Sequence, residues 1–97
     1  MFTVLDTVTI ELIGKPGCHL CDDAREVVQR VIEEYLGAGT SLSVELIELN
    51  ILQDAELAQR FAEEIPVVRI NGKIHNYWRI DPKRLSEALD DLARHES

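Results

Sequence analysis

Basic residues are scarce in this chain. Ten lysines and arginines stand against eighteen aspartates and glutamates, for a net charge of −8. A surface of that sign repels phosphate backbones and anionic lipid, so neither nucleic acid nor a membrane surface is an expected partner. Long apolar runs are missing too. No stretch approaches the roughly 20 residues a membrane helix needs. The opening MFTVLDTVTIELIG has neither the basic start nor the small-residue cleavage site of a secretory signal. The expected location is the cytoplasm. Cysteine is limited to two residues. A closed zinc site takes four ligands, and His19, His75 and His95 form no spaced pair that would complete one.

What is present suits a packed core without disulfide staples. The 97 residues are 45% apolar and 29% charged, which predicts one globular domain. Residues 7–13, TVTIELI, are β-branched, with Val8, Ile10 and Leu12 on one face and Thr9, Glu11 and Ile13 on the other. That pattern predicts a buried strand, broken by Gly14, Pro16 and Gly17. A helix follows, with Ala24, Val27, Val28, Val31, Ile32, Tyr35 and Leu36 at three- and four-residue spacing and Gly37 and Gly39 as stops.

Residues 42–49 read as a second strand. Residues 54–64 read as a short helix capped by Asp54, with Leu57, Ala58, Phe61 and Ala62 inward. Residues 67–78 read as a hairpin turning at Asn71-Gly72, a dipeptide that takes positive φ at low cost. Tyr77 and Trp78, adjacent on a strand, point to opposite faces; core packing is the first expectation for both, with one of them lining a contact groove as the alternative, and His75 is expected to be a solvated strand residue. The last helix starts at DPKRL, with Asp81 as N-cap and Pro82 at the first helical position. The order is β-α-β-α-β-β-α, an α/β class. Strands one and two, joined through a helix, are expected to be parallel.

The chemistry concentrates in GKPGCHLCDDA, residues 14–24, which holds both cysteines between the first strand and the first helix. Cysteines three apart on a first helical turn have Cβ atoms about 5–6 Å apart, within reach of a disulfide. Unpaired N–H groups and the helix dipole stabilise a thiolate there, and the thiolate is the nucleophile. Cys18, nearer the helix tip, is the expected attacker, and Cys21 the resolving thiol. Lys15 and a protonated His19 favour the thiolate, whereas Asp22 and Asp23 oppose it.

With C-x-x-C opening a helix, Ile65-Pro66 leading into an N-G hairpin and a closing helix, the chain resembles the glutaredoxins. Within them it more nearly resembles the small bacterial glutaredoxin-like domains. The resemblance covers nearly the whole chain. It implies a thioredoxin-like fold, a four-stranded mixed sheet flanked by three helices, and thiol–disulfide exchange. It implies that Pro66 is cis and faces the dithiol, and that the backbone of Ile65 pairs with an extended substrate. Two residues keep two readings each: Asp81 as the counterpart of the family's aspartate for the γ-glutamyl end of glutathione or only as the N-cap, and Arg79 as a carboxylate binder or as a solvated strand-end residue, the more common case.

The chain departs from the family pattern at His19-Leu20, where Pro-Tyr is usual. It departs again at Glu63-Glu64 before the proline, where a basic residue is frequent, and in NYWRID, which lacks the usual Gly-Gly. Asp22, Asp23, Glu63 and Glu64 outnumber Lys15, Arg60 and Arg69 around the site, a balance that does not favour anionic glutathione. The expectation is a monomeric oxidoreductase with no tightly bound cofactor. Its substrate is a disulfide-bearing protein or a glutathione mixed disulfide, and a cellular reductant, glutathione among the candidates, recharges it. Two other readings stay open: an adaptor with a redox-sensitive dithiol, and a metal or iron–sulfur carrier across a dimer.

Overall fold

The computed structural model describes residues 7–38 and 43–96, the side chains of 93–96 excepted. Expectations for Gly39, Leu42 and the side chains of the tail ARHES therefore fall outside the described residues. Strand β1 spans Thr7–Gly14, helix α1 His19–Gly37 and strand β2 Ser43–Asn50. A 3-10 turn, Ile51–Gln53, leads to helix α2, Ala55–Phe61. Strands β3, Val67–Ile70, and β4, Lys73–Tyr77, precede helix α3, Pro82–Glu96. The order is β-α-β-α-β-β-α, in a sheet ordered β2-β1-β3-β4. Strand β1 runs parallel to β2 and antiparallel to β3, and β3 runs antiparallel to β4.

Alternation along β1 divides the interior in two. Val8, Ile10 and Leu12 pack with Ala24, Val28 and Val31 of α1 and with Leu85 and Leu89 of α3. Ile13 points the other way and joins Leu57 and Phe61 of α2, with Val67 of β3. Helices α1 and α3 therefore cover one face and α2 the other. The hydroxyl of Tyr35 donates to the carbonyl of Leu89 at 3.2 Å, tying α1 to α3. The hairpin turns at Asn71 (φ 50°) and Gly72 (φ 86°), both in the left-handed region an Asn-Gly turn supplies. The Asn71 side-chain oxygen accepts from the Thr9 N–H at 2.9 Å, pinning that turn to β1.

Helix α2 stops at Phe61, three residues short of expectation, and Ala62 faces solvent. Residues 62–64 form a tighter turn instead, in which the Glu64 N–H donates to the Phe61 carbonyl, three residues back rather than four, at 2.8 Å. Tyr77 and Trp78 are not core residues, being 39% and 54% exposed. Strand β4 ends at Tyr77, and Trp78 enters the left-handed region (φ 60°), so strand alternation ends there. Ile80 fills the core in their place. Leu36, near the end of α1, is also exposed.

His75 is half-buried rather than solvated. The ladder pairs Val68 with Asn76 and Arg69 with Ile74, which leaves His75 as the extra residue of a bulge. Burial holds its imidazole below the ordinary value, Arg84 adds to the effect, and Asp81 opposes it.

Two outcomes follow from this packing. Leu85→Ala is expected to cost about 2–5 kcal/mol in denaturant unfolding, whereas the exposed Leu52→Ala changes stability by less than about 0.5 kcal/mol. His75 binds its proton more weakly when folded, so its contribution is complete above the unfolded value of about 6.5 and is lost as pH falls below it. His75→Asn should flatten that part of the stability–pH curve, measured by thermal unfolding across pH 4–8.

Candidate active site

Strand β1 ends on a glycine for a steric reason. A Cβ on Gly14 would stand 2.8 Å from the Cys21 Sγ and 3.1 Å from its Cβ. The inner cysteine therefore lies against the space a side chain would take. Residues 15–18 then turn the chain into α1, with Gly17 at φ 77°, a conformation that favours glycine. Cys18 is the N-cap of the helix, in extended conformation, and its Sγ accepts from the Cys21 N–H at 3.1 Å. One of the N–H groups left open at a helix start is thus met by sulfur.

Cys18 and Cys21 are joined as a disulfide, with Cα atoms 5.1 Å apart. Their environments differ. Cys18 is part-exposed at the helix tip, and Cys21, one turn inside, is only 2% exposed. His19 and Leu20 between them face solvent.

Two recesses flank the pair. A cleft of about 260 Å³ lies toward β2 and is lined by Gly14, Lys15, Cys21, Arg25, Glu48 and Asn50. Arg25 bridges its wall, donating to Glu48 at 2.7 Å and to Asp22 at 3.0 Å. Those two bonds, Glu48 first, hold its guanidinium above the ordinary value. The cleft reaches the inner sulfur, and Cys18 is not among its lining residues. A smaller groove of about 150 Å³ lies on the other side of α1, between Leu20, Asp23 and Val27 of the helix and Trp78, Arg79 and Ile80.

The residues singled out in the sequence divide between these features. Lys15 belongs to the cleft and Arg79 to the groove, so the two cations do not share a site. His19 lines neither. The Ile65–Pro66 peptide bond is cis. Pro66 is buried, and Ile65 packs on the Ile13–Phe61 cluster. Ile13 pairs with Val67, so continuing that antiparallel register by one residue brings Pro66 level with Gly14 at the dithiol end of the sheet. The Asp81 carboxylate caps α3, accepting from Lys83 N–H at 2.9 Å and Arg84 N–H at 3.4 Å, and it does not line the groove.

Sequence reasoning missed one residue here and ranked another wrongly. Gly14 reads as a strand breaker, and only the packing reveals the sulfur beside it. Trp78 reads first as core, and the structure gives it the alternative place of the Tyr77-Trp78 pair, lining a groove. Its backbone N–H donates to the Pro66 carbonyl at 2.8 Å, and its indole N–H donates to the Glu63 carbonyl at 3.2 Å.

The comparisons with known proteins agree with this geometry. The model of the glutaredoxin-like domain (DUF836) matches residues 9–90. A glutaredoxin-like protein of Dictyostelium discoideum, the YDR286C homolog, is 27% identical over 90 residues, covering 93% of this chain and 82% of that protein. The X-ray structure of protein XcR50 from X. campestris superposes with a TM-score of 0.64 at 28% identity, covering 84% of this chain and 96% of that one. Chloroplastic thioredoxin z superposes with a TM-score of 0.70 at 15% identity, covering 92% of this chain and 80% of that one, a likeness of fold alone.

The contact at Gly14 has a measurable consequence. Gly14→Ala is expected to destabilise the oxidised protein by about 1–3 kcal/mol through overpacking against Cys21. Gly37→Ala, at a helical position with nothing within 4 Å of the new Cβ, is expected to gain about 0.5–1 kcal/mol. Chemical denaturation of the two oxidised variants checks both signs.

Proposed function

The chain belongs to the glutaredoxin-like domain family, and from that premise we propose that it is a thiol–disulfide oxidoreductase. The Cys18 thiolate attacks one sulfur of a substrate disulfide. The substrate S–S bond breaks, one substrate thiolate leaves and takes a proton, and a mixed disulfide to Cys18 remains. Cys21, as thiolate, then attacks the Cys18 sulfur. The second substrate thiol is released, and the Cys18–Cys21 disulfide holds the two electrons' worth of oxidation. A thiol reductant of the cell, glutathione or a dithiol protein, restores the pair. The substrate is a disulfide-bearing protein or a glutathione mixed disulfide, and Ile65 and Pro66 dock its backbone.

The observation that carries this reading is the Cys18–Cys21 disulfide at the start of α1, with one sulfur part-exposed and the other buried. A nucleophile must meet a partner of unknown shape, and the helix tip offers that access. A resolving thiol must wait without being captured by other oxidants, and burial provides that shelter. The helix N-terminus stabilises the Cys18 thiolate, which makes the first attack and is the form set free when the reductant has recharged the pair.

Reduction of a small disulfide such as hydroxyethyl disulfide, coupled to a thiol reductant, tests the assignment. Cys18→Ser is expected to abolish turnover, whereas Cys21→Ser should accumulate a mixed disulfide on Cys18, visible by intact mass. Equilibration in graded thiol–disulfide buffers should give a two-electron transition between roughly −180 and −270 mV. Unchanged turnover in Cys18→Ser would overturn the proposal.

A further inference from the structure

Trp78 is an unusual residue by three measures. It is the most exposed aromatic among the described residues, at 54%. Its backbone lies at φ 60°, a region a bulky side chain occupies only at a cost of about 1–3 kcal/mol. Yet it is held there by the two hydrogen bonds to Pro66 and Glu63. The backbone reversal lets Ile80 into the core, but core packing does not require an exposed aromatic at Trp78 with its indole tied down.

What the arrangement builds is the groove beside the dithiol. Trp78 and Leu20, the residue next to Cys21 in sequence, both line it, with Ala24, Val27 and Ile80 completing the apolar lining. The groove thus opens beside the C-x-x-C turn, so its occupant is a molecule that also presents sulfur to Cys18. Two kinds of thiol compound compete for that description. Glutathione has no side chain beyond its cysteine to place on an apolar lining, and it carries a net negative charge. An extended polypeptide has both an apolar neighbour to offer and a choice of charge.

Charge separates the two further. Asp23 lines the groove, and Glu63, whose carbonyl accepts from the Trp78 indole, adjoins it with Glu64 next in the chain. None of these three carboxylates has an ion-pair partner among the described residues. Arg79 is the one cation in the lining, and Arg69 is engaged with Glu11 at 2.9 Å. The rim therefore attracts cations.

We infer that this protein exchanges disulfides with extended polypeptides in preference to glutathione, reading an apolar side chain beside the substrate cysteine in the Leu20–Trp78 groove and a basic residue on the Asp23–Glu63–Glu64 rim. The inference rests on the thiol-exchange reading above and adds the substrate class and the selecting residue.

The test uses the full chain carrying Cys21→Ser, which stops at the mixed disulfide. The protein is equilibrated with glutathione and the peptide Lys-Leu-Cys-Leu-Lys, each as thiol and disulfide. Intact mass then gives the constant for one exchange: protein–glutathione disulfide plus peptide thiol yields protein–peptide disulfide plus glutathione. Sulfur oxidation state is conserved across it. The expected constant favours the peptide by about ten-fold. It should fall to within about two-fold for Lys-Gly-Cys-Gly-Lys, and lose most of its value for Glu-Leu-Cys-Leu-Glu.

Trp78→Gly relieves the backbone strain, keeps a residue suited to φ 60°, and should lose the preference for the leucine peptide. Trp78→Phe should retain most of it. Equal constants for peptide and glutathione, a preference for glutathione, or a leucine preference surviving in Trp78→Gly would overturn the inference while leaving thiol exchange intact. Failure of Cys18 to form a mixed disulfide with either thiol would instead overturn the exchange reading and this inference with it. Should Trp78→Gly not fold, the three peptides on the Trp78 protein decide alone.

Discussion

Gly14 has no side chain, and the sulfur of Cys21 sits where one would begin. That contact sets the distance between the end of β1 and the first turn of α1. The helix can start where it does only because the strand's last residue leaves room for the inner cysteine. From this junction the rest of the sulfur site follows. Cys21 is buried because it faces the strand, and Cys18 is part-exposed because it caps the helix. The cap is chemically economical, since the same sulfur that offers itself to solvent also accepts the Cys21 N–H.

The sheet supplies the second constraint. Val8, Ile10 and Leu12 hold α1 against one face, and Ile13 anchors α2 through Phe61 on the other. Because Ile13 pairs with Val67, the same end of β1 that carries the dithiol also meets the start of β3. Pro66 and Ile65 are thereby carried to the sulfur end of the sheet by strand register rather than by any local preference. Trp78 is tied to that segment by hydrogen bonds to Glu63 and Pro66, so proline and aromatic are linked through the backbone.

Electrostatics divides the surroundings of the pair. On the β2 side, Arg25 is saturated by Glu48 and Asp22, leaving a wall of compensated charge. On the other side, Asp23 lines the groove and the Glu63 carbonyl accepts from its Trp78, and the carboxylates of Asp23, Glu63 and Glu64 lack ion-pair partners among the described residues. The net charge of −8 is thus not a uniform coat. Paired charges contribute little to long-range attraction, whereas unpaired ones bias which partner arrives.

Element order, the parallel β1–β2 pair, the Asn71-Gly72 turn, the caps at Asp54 and Asp81 and the position of the C-x-x-C turn were all determined by the sequence itself. Each depends on neighbours a few residues away: side-chain periodicity, a turn dipeptide, a short polar side chain before a helix. Glutaredoxin-like membership was legible in the same way, through motif order.

Tertiary structure alone decided the rest. The burial of Cys21 depends on a strand glycine seven residues earlier. The half-burial of His75 depends on a bulge against β3. The exposure of Trp78 depends on a backbone reversal that frees the core position for Ile80. In each case the governing contact joins residues brought together only by the folded sheet. Local propensity therefore had no means of ranking a core tryptophan against one held out in solvent.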